Sequence, residues 1–157
     1  MRGGFSLIEV LVAAIILMIM LLGLLPLYVV NIRLNESVQK KQIGEKILED
    51  KASQIRGFKV ENLTKSFLES IGYTETQPSG YLHVSENCPL GYDYRLFQGY
   101  EVTKTFGNMV RKYKYTLKLC VDDDYLKPYL KRAYLVVYWL DGNRKKHLSV
   151  EVFVGEK

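Results

Sequence analysis

Phe5-Ser6-Leu7-Ile8-Glu9-Val10-Leu11-Val12-Ala13-Ala14 opens the stretch that decides the fold, and from Val10 to Val30 not one of 21 residues is charged. About 20 apolar residues at ~1.5 Å rise span a bilayer core as a helix, and Phe5 to Val30 meets that length. A secretory signal would need a shorter apolar core and a small-x-small cleavage site; the run ends instead in Leu25-Pro26-Leu27-Tyr28. Every Lys and Arg but Arg2 lies beyond the run, so the near-average composition (48% hydrophobic, 25% charged) is the sum of two opposite ones. At 157 residues the chain is sized for one domain and its anchor.

Two details resist a passive anchor. Glu9 sits inside the apolar segment, where a carboxylate at mid-membrane costs about 2.5 to 3.5 kcal/mol and marks a functional position. Ahead of it, Met1-Arg2-Gly3-Gly4 is short and basic, with two glycines that favour extended backbone over helix. With these residues in place, Gly4-Phe5-Ser6-Leu7-Ile8-Glu9-Val10-Leu11-Val12-Ala13 resembles the signature of type IV pilins and the pseudopilins of type II secretion. The resemblance covers about Gly3 to Pro26, and its fine detail is closer to the minor pilins. It implies cleavage by a prepilin peptidase after Gly4, N-methylation of Phe5, a role for Glu9 in assembly, and a helix kink at Pro26. Physical chemistry gives a reason: cleavage would leave a cationic amine at Phe5, which Glu9 could neutralise in its own chain or a neighbour's.

Working outward, Leu34, Val38, Ile43, Ile47, Leu48, Ala52 and Ile55 recur at spacings of three to five, so the helix is expected to continue to about Arg56, with Gly57 as its stop. Residues 57–91 read as a connecting region rich in Gly and Pro, with a short helix at Asn62 to Ile71 and a strand at Tyr81 to Val84. Beyond it the period becomes two. Tyr113 to Val121 alternates as a strand with one buried face, Ala133 to Leu140 reads as a central strand, and Asp141-Gly142-Asn143 as a hairpin into a strand ending near Val154. Tyr92 to Phe97 or Tyr100 to Phe106 supplies a fourth. The expected class is α+β, pilin-like, with a leader at 1–4, a transmembrane or filament-core helix at 5–30, an amphipathic continuation at 31–56 and a head at 57–157.

The two cysteines, Cys88 and Cys120, would close a loop of about 33 residues if bridged, stabilising by about 2 to 4 kcal/mol; two free thiols are the alternative. They cannot close a zinc site with His83 and His147, which lack metal-type spacing. Asp122-Asp123-Asp124 lacks calcium-loop spacing and reads as a solvated turn. Lys112, Lys114 and Lys118 on one strand face, with Arg111 nearby, and Lys127, Lys131, Arg132, Arg144, Lys145 and Lys146 on turns, could meet DNA phosphates; a solvated sheet face explains them more cheaply. Twelve tyrosines suit core and rim positions.

No nucleophile elbow, HExxH, phosphate loop or dinucleotide fingerprint is present, so the expectation is a non-enzyme without a cofactor. The resemblance implies a minor pilin or pseudopilin with its N-terminus in the cytoplasm and its head in the periplasm, later part of a filament. Its implied partners are other pilin subunits, the prepilin peptidase and methylase, and the inner membrane. Two rival readings are a filament-borne adhesin or DNA receptor, and an anchored periplasmic domain that never polymerises.

Overall fold

A computed structural model describes residues 6–85, 87–106, 108–126 and 129–155. By internal contacts the chain divides into two compact units, Met1–Gln39 and Lys40–Lys157. One helix, α1 (Leu7–Gly57), contributes to both and ends where Gly57 was expected to stop it. In the first unit residues 6–35 are all exposed. The most apolar 18-residue window has a mean hydropathy of 3.0, long and greasy enough to cross a bilayer. Leu34 and Val38, expected to extend the head's core stripe, are 58% and 52% exposed and belong to this first unit.

The second unit is an α+β head. The part of α1 within it buries Ile43, Gly44, Leu48, Ala52 and Ile55, the three-to-four spacing of a helix with one covered face. A single 3-10 turn at Val60–Asn62 leads to α2 (Lys65–Ser70), which is shorter than the helix expected at Asn62 to Ile71. Thr64 caps it by accepting a hydrogen bond from the Phe67 amide at 3.4 Å.

Four antiparallel strands follow as a simple meander, β1 (Tyr94–Phe106), β2 (Met109–Leu126), β3 (Leu130–Asp141) and β4 (Arg144–Gly155), in spatial order β1-β2-β3-β4. Strand β1 joins the two segments offered for a fourth strand, all of the first but Tyr92 and Asp93 and the whole of the second, because Gly99 between them is an interior strand residue. A Cβ at Gly99 would lie 2.8 Å from the Tyr81 ring, so only glycine lets that ring lie on the sheet. The sheet's first face, with Tyr115, Leu117, Leu119, Leu135, Val137 and Trp139, packs on α1 and forms the core.

Gly44 sets how closely α1 approaches that face. A Cβ there would meet Trp139 Cζ3 at 3.2 Å, and the Tyr115 hydroxyl already donates to the Lys40 carbonyl at 2.9 Å. A Gly44→Leu chain, despite its better helix propensity, is expected to lose about 1 to 3 kcal/mol by overpacking. A lowered thermal midpoint by circular dichroism checks it, and an unchanged midpoint would show that the helix can lift off at no cost.

The sheet's second face is also covered, which corrects the expectation of a strand with one buried face. Residues 80–85 and 87–93 run over it as a strap. Lys114 Nζ donates to the Gly80 carbonyl (2.9 Å), Thr116 Oγ1 to the Leu82 carbonyl (2.8 Å), and Lys118 Nζ to the carbonyls of Ser85 (3.2 Å) and Asn87 (2.9 Å). Cys120 completes the series through a disulfide to Cys88, with the two Cα atoms 5.9 Å apart. Every second residue of β2 from Lys114 to Cys120 thus holds one point of the strap. Tyr81 to Val84 is accordingly no strand: its carbonyls answer side chains rather than a neighbouring ladder. Burial of the Lys118 ammonium lowers its pKa, the cost of its place under the strap.

Candidate assembly site

The N-terminal turn of α1 places Glu9 where the helix presents its unpaired amides. The Ser6 carbonyl accepts from the Glu9 amide at 2.9 Å and from the Val10 amide at 3.3 Å, and Glu9 is the acidic residue of the first turn. A carboxylate at that end is favoured by the helix dipole. Gly4 and Phe5, the expected cleavage and methylation positions, lie outside the described residues. Pro26 lies inside α1, where its ring withholds an amide from the helix ladder and Gly23 one turn earlier adds no side chain.

What surrounds Glu9 matters as much as Glu9 itself. Leu7, Ile8, Leu11, Ile15, Met18, Leu22 and Leu25 are more than half exposed, and the apolar residues on the helix's other sides are exposed too. A continuous apolar surface of this size exceeds what a soluble monomer leaves in water and calls for lipid or other helices. The arrangement is a greasy rod bearing a carboxylate near its end.

In the head, the acid triplet is not a solvated turn. Asp122 is buried on β2 and binds Arg132 at 2.8 Å, while Asp123 meets Lys131 at 3.0 Å; a bulge separates Asp122 from Leu126. Lys131 and Arg132 likewise lie on β3 rather than on a turn. Lys131 is buried and also donates to the Leu63 carbonyl at 2.7 Å. The Arg132 guanidinium stands 4.6 Å from the Tyr92 ring and 4.7 Å from the Tyr125 ring, and the Tyr92 hydroxyl donates to Glu151 at 2.8 Å. Desolvation and that acceptor push the Tyr92 hydroxyl far above its ordinary pKa, so it stays a donor.

Lys118, Lys131 and Arg132 are therefore committed to carbonyls and carboxylates inside the head; Lys127 lies outside the described residues. Among the described residues no group of three or more His, Cys, Asp or Glu side chains is placed to hold a metal. The strap and its Arg132 cluster escaped the sequence reading. The one available signal was Cys120, an apolar residue among the polar-facing residues of its strand.

The first 25 residues match a family model described as the prokaryotic N-terminal methylation motif, the signature of type IV pilin-like proteins. No curated protein and no solved structure matches the chain. The motif implies processing by a prepilin peptidase and assembly with other pilin subunits, and it points to a structural subunit rather than an enzyme.

Proposed function

We propose that this chain is a minor pilin or pseudopilin, cut after Gly4, methylated on Phe5, and carried into a filament by α1. The methylation motif at residues 1–25 is the observation that carries the reading. It is supported by Glu9 in the first turn and by an apolar helix with no buried residue before the head. The N-terminus would lie in the cytoplasm and the head in the periplasm, an oxidising compartment that suits the Cys88–Cys120 disulfide. On assembly the helix exchanges lipid for packing against other helices. A head of this size adds surface specificity, and as a minor component it serves initiation or the tip.

Maturation gives the direct test. Co-expressed with a prepilin peptidase, the chain should be recovered beginning at Phe5 and carrying one added methyl group, as read by intact-mass and N-terminal peptide spectrometry. Recovery of the intact chain from Met1, in cells that process a control prepilin, would overturn the proposal.

A further inference from the structure

The head's excess charge is gathered at one end. Residues 101–114, the outer part of the β1–β2 hairpin, and residues 140–147, the β3–β4 turn with the strand ends that flank it, hold seven basic side chains (Lys104, Arg111, Lys112, Lys114, Arg144, Lys145, Lys146) and two acidic ones (Glu101, Asp141). That excess of five equals the formal net charge of the whole chain, so the remainder sums to zero. Register places the two segments side by side. Thr116 pairs with Tyr138, which brings Asp141 level with Tyr113, and the β1–β2 arm continues about five residues, or ~16 Å, further.

The end that bears these charges is the one where α1 enters the head. Lys40, the first residue of the second unit, accepts from the Tyr115 hydroxyl at 2.9 Å and reaches Asp141 at 3.9 Å, whereas Leu63, after the helix, meets Lys131 at the opposite end. In the sequence Lys40 follows the last residue of the apolar run, Val30, by ten residues. At the arm's tip Met109 and Val110 are 62% and 60% exposed beside Lys104 and Arg111. Phosphates alone do not explain two exposed apolar residues amid cations, whereas a headgroup layer accommodates both kinds of group.

We propose that this end of the head docks on the anionic headgroups of the bilayer that α1 spans, with Met109 and Val110 entering the interface and the cations of the cluster contacting lipid phosphates, apart from Lys112, which pairs with Glu101 at 2.8 Å. Lys114 and Lys145 make this compatible with the fold, since each binds a strap carbonyl (2.9 and 2.8 Å) and keeps its charge. Docking holds the head against the membrane before any assembly and does not depend on polymerisation. Each headgroup-bound cation favours an anionic surface about fivefold, an advantage that salt screens.

The test uses the full chain with Val110→Trp, reconstituted in nanodiscs of neutral phosphatidylcholine or of phosphatidylcholine with phosphatidylglycerol, each carrying a headgroup nitroxide lipid. Trp139 is buried in the core and supplies a constant background, measured on the parent chain. Quenching should be at least about threefold stronger in anionic discs. It should fall to the neutral level at high salt and in a Lys104→Glu, Arg144→Glu, Lys146→Glu chain that still forms its disulfide. Equal quenching in both discs, or quenching untouched by the charge reversals, overturns the proposal. Retention of duplex DNA that the same reversals abolish, without any lipid dependence of quenching, also overturns it and assigns the surface to nucleic acid.

Discussion

A Glu9→Leu chain is expected to insert in the membrane, form its Cys88–Cys120 disulfide and be absent from assembled filaments. The argument turns on sign. For a lone helix in lipid, replacing a carboxylate near the end of the apolar run by leucine removes a desolvation cost and can only improve insertion. In a bundle of such helices, under the proposed cleavage after Gly4, the same change would remove the partner of the new Phe5 amine. Breaking a buried charge pair by deleting one member costs about 3 to 5 kcal/mol, because the other charge is left uncompensated in low dielectric. Incorporation should therefore fall by more than about a hundredfold, while the amount of chain in the membrane is unchanged or rises. Sheared filaments and membranes, separated and probed for the head, give the two quantities. Glu9→Asp should recover part of the incorporation and Glu9→Gln little, since length is secondary to charge. Normal incorporation of the leucine variant would mean that Glu9 only reaches the interface of a monomeric anchor.

That the sequence displayed Glu9 and concealed the strap has a physical cause. The apolar run, the lone carboxylate within it and the period-two strands are local patterns, each written in consecutive residues, so α1, β3 and β4 could be read with little error, whereas of β2 only the middle half, Tyr113 to Val121, was legible. The strap has no period, because its backbone polar groups are satisfied by side chains of β2 and β4 rather than by a ladder. For the same reason Lys118 was misread: a lysine on the polar side of a strand normally faces water, and only the carbonyls of Ser85 and Asn87, some 30 residues away, bring it inside. Leu34 and Val38 mark the converse error. Helical spacing assigns a residue to a face, and here that face lies in the first unit, where the head's core does not extend. At Gly99 an apparent break between strands was an accommodation of Tyr81, visible only once the ring was placed.

Removing the disulfide with Cys88→Ala and Cys120→Ala should cost the head about 3 to 4 kcal/mol while leaving its core intact. A bridge between residues 32 apart restricts the unfolded chain by about that amount on the chain-entropy estimate. Alanine is the appropriate replacement at position 120, which is fully buried, because serine would add a hydroxyl to the interior. Geometry separates the two effects. Cys120 belongs to the face of β2 under the strap, whereas Trp139 packs against Gly44 and Tyr115 on the face under α1. Urea denaturation of the detergent-solubilised chain, followed by Trp139 emission, should show a lower midpoint with an unchanged native spectrum, and the strap should become the first site of proteolysis. Reduction of the parent chain should reproduce both results. A midpoint shift worth less than about 1 kcal/mol would mean that the contacts from Lys114, Thr116, Lys118 and Arg132 hold the strap unaided. A red-shifted native emission would instead mean that the strap and the helix-packed core unfold as one, contrary to the separation of the two faces.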